Sequence, residues 1–174
     1  MRRLAVLLLL AGLGAGTAAA ESPLRRQILD YLGAFEGVTA ADWRALGPDA
    51  GPELLAIAGD ASASRSQRAG AALALGYFPT SDARSFLDAR LSDDDSLFRR
   101  RACVALATGW GDEALPALAR GMSDRDTQVR TACVNAVATL RTDGARQALQ
   151  ARLGDEANPS VRAALEAGIA GGAR

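Results

Sequence analysis

The sequence predicts an all-α fold: an α-α superhelix, or solenoid, of about four helical hairpins behind an N-terminal helical cap. Three observations carry that prediction. Arg68, Arg99, Arg130 and Arg162 recur at intervals of 31, 31 and 32 residues, each at the start of an Ala/Leu-rich run. Apolar residues within these runs follow helical spacing, and no run alternates with period two over a strand's length. Turn-forming residues separate the runs in step with the same period. Units of this length bury their apolar faces only against one another, so the chain builds an extended surface rather than a cleft around a catalytic group.

Residues 1–20 read as a targeting segment outside the fold. Arg2 and Arg3 form a basic start, Leu4 to Leu13 an apolar stretch, and Ala18, Ala19 and Ala20 the small residues of a cleavage site. The apolar run ends at Gly14, short of the ~20 residues that span a bilayer, so cleavage before Glu21 is expected rather than a retained anchor. The expected product is a periplasmic or secreted bacterial protein of 154 residues, one domain in size, without an integral membrane segment. Removing Arg2 and Arg3 from the 20 basic side chains leaves 18 against 20 acidic, a net charge near −2. Nucleic acid is therefore a poor partner, because such affinity comes chiefly from neutralising phosphates.

Residues 21–50 form the expected cap and linker. Leu24, Ile28, Leu32 and Phe35 share one helical face, Thr39 caps a short helix carrying Trp43 and Leu46, and Gly47 to Pro52 is the linker. Residues 51–174 form the repeat domain, with outer helices expected at 52–58, 82–91, 112–122 and 144–153. Leu87, Leu118 and Leu149 correspond at 31-residue steps, and Pro116 lies about one turn into its helix. Inner helices are expected at 66–76, 97–108, 127–140 and 160–170, where Ala71, Ala102, Cys133 and Leu165 are equivalent. The turns within units, 92–96, 123–127 and 154–160, are rich in residues that cap helix starts. At the far end, residues 167–172 have few polar side chains to shield an end helix, so fraying or contact with something else is expected.

The run from Val129 to Val137, preceded by Asp124 and Asp126, resembles the second helix of a HEAT repeat, as does Val161 to Leu165. Phe98-Arg99 matches with an aromatic in place of valine, and Gln67-Arg68 only through its arginine. The likeness covers roughly residues 51–170, includes the bilin-lyase-like subgroup, and implies a short right-handed stack of hairpins. It also implies that Arg68, Arg99, Arg130 and Arg162 are structural, joined to the aspartates of the preceding turns in a ladder that links repeats. Asp93, Asp124 and Asp155 are the matching partners, while Asp60 is displaced by a turn two residues longer. As exposed pairs these would contribute only ~0 to 1 kcal/mol each, fixing register more than stability.

Little in the sequence suggests catalysis. The chain has no histidine, which removes Ser/His and Cys/His nucleophiles and every histidine metal site. Asp93, Asp94 and Asp95 diverge as three consecutive carboxylates and lack the spacing of a calcium loop, so a capped, solvated turn is expected. Cys103 and Cys133 fall on adjacent inner helices at non-equivalent positions. With helix axes ~8 to 10 Å apart, two packed small residues are expected in preference to a bridge. No catalytic, cofactor or metal residues are assigned. Candidate protein-binding residues are Arg100, Arg101, Thr131 and Asn135 on the inner-helix face, with Tyr77, Phe78 and Trp110 at the inter-repeat edge. The expected function is a non-enzymatic scaffold or adaptor for another protein. The alternative is an accessory or lyase-like protein acting on a cofactor or modified partner.

Overall fold

The computed structural model describes residues 21–34 and 37–171. The expected cleavage segment, Phe35 and Gly172 lie outside them. Ten α-helices and no strand occupy the described residues. The cap consists of α1 (Pro23–Gly33) and α2 (Ala40–Ala45). Four hairpins follow: α3 (Ala50–Gly59) with α4 (Arg65–Ala74), α5 (Ser81–Arg90) with α6 (Ser96–Trp110), α7 (Leu115–Met122) with α8 (Thr127–Leu140), and α9 (Asp143–Leu153) with α10 (Pro159–Gly171). The inner helices α4, α6, α8 and α10 stack in that order, while α1 packs against both helices of the first hairpin.

Most of the helices start where a side chain satisfies free amides, α3 and α7 being the exceptions. Thr39 with Asp42, and Ser64 with Gln67, form reciprocal capping boxes. The second of these explains the poor repeat match at Gln67. Its side chain accepts from the Ser64 amide at 2.9 Å, a capping task that the apolar Phe98, Val129 and Val161 cannot perform. Two expected boundaries shift. The helix of the first unit begins at Ala50, so the linker is shorter than Gly47 to Pro52. In the third unit Pro116 stands in the first turn of α7, behind a separate 3-10 turn at Gly111–Ala114. A residue without an N–H fits a helix start, where that donor would be unpaired in any case, better than a helix interior.

Ala71, Ala102, Cys133 and Leu165 are fully buried along the inner stack, as are Leu75, Leu106 and Val137 one turn later. Small residues let the units approach closely: a Cβ on Gly76, in the 3-10 turn Leu75–Tyr77 that follows α4, would stand 2.8 Å from the Ala105 carbonyl oxygen of α6. That proximity also corrects the expectation for the cysteines. Cys103 and Cys133 are joined in a disulfide between α6 and α8, with Cα atoms 5.1 Å apart. Axes 8 to 10 Å apart are compatible with this, because each Cα lies ~2.3 Å from its own axis and facing Cα atoms are correspondingly nearer.

The bridge depends on a third residue. A Cβ on Gly121 would meet Cys133 Sγ at 2.5 Å and Cys103 Sγ at 2.8 Å, closer than side chains pack. The equivalent positions in neighbouring units are Arg90 and Arg152, so the third unit gives up an arginine to house the sulfurs. Gly121→Ala should therefore cost about 1–3 kcal/mol by overpacking, measurable by denaturant unfolding of the oxidised protein. Removing the bridge with Cys103→Ala and Cys133→Ala should make the same glycine substitution much better tolerated.

Candidate protein-binding face

The arginine ladder exists, with a different wiring and burial from the sequence expectation. Arg99 reaches forward into the next unit, donating to both carboxylate oxygens of Asp124 at 2.8 and 3.1 Å. Its remaining terminal nitrogen donates backward to the carbonyls of Asp93 and Asp94 in its own turn. Arg130 repeats the pattern, donating to Glu156 at 2.9 and 3.1 Å and to the Asp124 carbonyl at 2.9 Å. The carboxylate partner thus belongs to the following turn, and in the last unit it is Glu156 rather than Asp155, which is exposed. The final turn is one residue longer, and Glu156 takes the buried place. Arg162 closes the series on the Leu153 and Glu156 carbonyls, both at 3.0 Å.

Two rungs depart from the pattern. Arg25 of α1, which has no counterpart in the 31-residue ladder, donates to Asp60 at 3.2 Å and to Glu53 at 2.7 Å. The cap therefore docks on the first hairpin by the same kind of contact. Arg68 forms no bond with Asp93. Asp93 instead accepts from Arg90 at 2.6 Å, and the Arg68 guanidinium lies 5.5 Å from the centre of the Phe98 ring. Arg90 is also within cation–π reach of that ring, so the aromatic at position 98 displaces the rung.

Burial makes these pairs more consequential than exposed ones. The side chains of Arg99 and Asp124 retain 5% and 10% of their exposure, and Glu156 retains 2%. Burial alone would raise the Asp124 and Glu156 pKa values, but the arginine bonds, the amides of Asp126 and Asn158 and nearby positive charge bring both below their ordinary values. Asp124 and Glu156 also order their own turns by accepting those amides, at 2.8 and 2.9 Å. Asp95 caps α6 and is held by Arg65, whose bonds lower its pKa to about 2.

The proposed binding residues divide into two groups. Tyr77, Phe78 and Trp110 are half-buried against the core. Tyr77 lies beneath Arg44, Phe78 packs over Gly51, and Trp110 lies beneath Arg84 of the outer helix α5. These aromatics close gaps between elements. Arg100, Arg101, Thr131 and Asn135, by contrast, come together on the solvent side of α6 and α8. A shallow hollow of about 280 Å³ is lined by Leu97, Arg100, Arg101, Val104 and Ala132. Its neighbour, about 390 Å³, shares Arg100 and Ala132 and continues along Gln128, Thr131 and Asn135. Val104, at 36% exposure, is the large apolar side chain left open here. Leu97 and Val104 flank the two arginines at helical spacing, a signal already present in the sequence that charge alone did not draw out. Among the described residues, no group of three or more histidine, cysteine or acidic side chains could hold a metal ion.

Residues 86–170 match the family model described as HEAT repeats, and the stacked hairpins with their inter-repeat ladder agree with it; over these residues the chain carries HEAT repeats. No curated relative matches the chain. HEAT repeats commonly mediate protein–protein interaction. Among the described residues no helix is long and apolar enough to cross a membrane.

Glu156→Gln should cost about 3 kcal/mol in chemical unfolding, because it removes the buried carboxylate that half-buried Arg130 and Arg152 share, whereas Asp155→Ala should change stability by no more than about 0.5 kcal/mol. A lowered carboxylate pKa contributes stability above the unfolded value of ~4, and that stability is lost as pH falls through the folded value. Stability should therefore decline in acid below about pH 5, and Asp124→Asn should flatten that decline while lowering stability at pH 7.

Proposed function

We propose that this protein is an exported, non-enzymatic adaptor that holds a protein partner against the inner-helix face of α6 and α8, in a bacterial periplasm or outside the cell. The observation that carries the reading is the paired hollow around Arg100, where exposed apolar, amide and guanidinium groups lie side by side over a rigid, internally bonded stack. Such a mixture is usual at protein interfaces, where arginine and apolar anchors supply most of the binding energy. The chemistry of the remaining residues supports a binding role over catalysis. The chain has no histidine, its cysteines are joined to each other, and the carboxylates with lowered pKa at Asp124, Glu156 and Asp95 are bound to arginines that hold the fold together.

Two features support export. Residues 1–20 have the order of a cleavable signal, and the Cys103–Cys133 bridge is of a kind that forms and persists in oxidising compartments. A photo-crosslinking residue at Asn135, which is exposed, should capture a defined protein in the cell envelope, and the same probe at exposed Gln147 on α9 should not. Equal labelling from both positions, or none from Asn135, would remove this face from consideration. The recovered protein should begin at Glu21, and Met1 at its N-terminus in a cytoplasmic fraction would contradict export.

A further inference from the structure

Resting on the docking face proposed above, we infer that the face selects acidic partners: a segment presenting Asp or Glu carboxylates beside an apolar side chain. About half of the arginines among the described residues bond to carboxylates of the chain, the ladder residues Arg99 and Arg130 with Arg152 most deeply. Arg100 and Arg101 follow Arg99 directly, yet no ion pair or side-chain hydrogen bond within the described residues engages either guanidinium. The Nε–H groups of Arg100, Arg68 and Arg90 are each shielded from solvent and lack an acceptor, but Arg100 alone of the three lines the hollows.

The acids nearest the face are already committed. Asp95, whose pKa is lowered in small part by the nearby charge of Arg100, is bound to Arg65 at 2.5 and 2.6 Å and to the Leu97 amide. Asp126 accepts the amides of Gln128 and Val129 at the start of α8. The hollows themselves are lined by no carboxylate. A partner carboxylate entering the hollow that Arg100 and Arg101 both line would meet planar donor forks without a carboxylate partner of their own, and charge-assisted bonds of this type are among the stronger polar contacts. Leu97 and Val104, one turn to either side, give an adjacent apolar side chain its contact. Asn135 and Gln128 bring both donor and acceptor groups to the partner's backbone. The chain as a whole is near neutral, so selection arises from this local arrangement and not from a general positive field.

The test is selection of a random twelve-residue peptide display library on the oxidised protein, repeated on Arg100→Glu/Arg101→Glu and on Asn135→Trp, which obstructs the second hollow from an exposed position. Unfolding midpoints establish that each variant is folded, and Arg100→Gln/Arg101→Gln serves if charge reversal prevents folding. Peptides enriched on the wild type should carry Asp or Glu next to an apolar residue, bind roughly tenfold or more weakly to both variants, and weaken with added salt. Peptides enriched on the charge-reversed protein should be basic. Neutral or basic peptides that bind the wild type and are lost on Asn135→Trp would overturn the acidic preference while leaving the docking face in place. Enriched peptides indifferent to every substitution, or no enrichment, would overturn both. Vesicles of phosphatidylglycerol and inorganic phosphate are assayed in parallel, and binding of either through Arg100 and Arg101 without acidic-peptide enrichment would reassign the face to phosphate.

Discussion

The fold turns on a guanidinium, buried at Arg99 and half-buried at Arg130, that faces two ways. Arg99 and Arg130 each close the turn of their own hairpin through backbone carbonyls and, with the other edge of the same planar group, hold the carboxylate of the next hairpin's turn. A guanidinium has donors enough for both directions at once, which a lysine ammonium cannot match in a fixed plane. The consequence is positional. Packing of Ala, Val and Leu between helices such as α6 and α8 favours one register, and the polar pairs make departures from it costlier still. A charge pair with little solvent access permits only the register in which both members are bonded. Such pairs are weak sources of net stability, because desolvation offsets much of the attraction, yet they are costly to break from one side.

That division of labour separates the inside of the stack from its available surface. Arg99 points into the ladder, while half-buried Arg100 and exposed Arg101, one and two positions further round α6, line the open hollow. The disulfide reinforces the same junction, tying α6 to α8 beneath the face that they share. A rigid floor lowers the conformational entropy that a binding surface loses on meeting its partner. The second and third hairpins therefore combine a cross-linked junction with an open polar face.

The helices and their order were legible in the sequence because the 31-residue period is enforced by packing: every equivalent Leu and Ala must meet its counterpart in the next unit. Partners of the ladder were harder to read. The pattern makes an arginine and the aspartate of its own turn look like a pair, whereas the bonded carboxylate lies 25 or 26 residues later, in the next turn. Glu156 escaped notice because one extra residue in the last turn moved the buried place from Asp155. Arg25 escaped because it belongs to a helix outside the repeat. For the disulfide the missing step was geometric, a matter of passing from helix axes to facing Cα atoms, and Gly121 in a series of arginines was the available signal. On the candidate face, the sequence identified the arginines and Asn135, while the pairing state that distinguishes Arg100 from Arg99 becomes visible only in three dimensions.

The most direct measurement is a double-mutant cycle across Arg99 and Asp124, using Arg99→Met, Asp124→Leu and the combined variant, followed by urea unfolding at pH 7. If the pair sets register across the junction, each single variant loses about 3–5 kcal/mol, and the double variant loses little more than either one, giving a coupling of several kcal/mol. If the two losses add to within about 0.5 kcal/mol, the residues act independently and the ladder is not what holds successive hairpins in place.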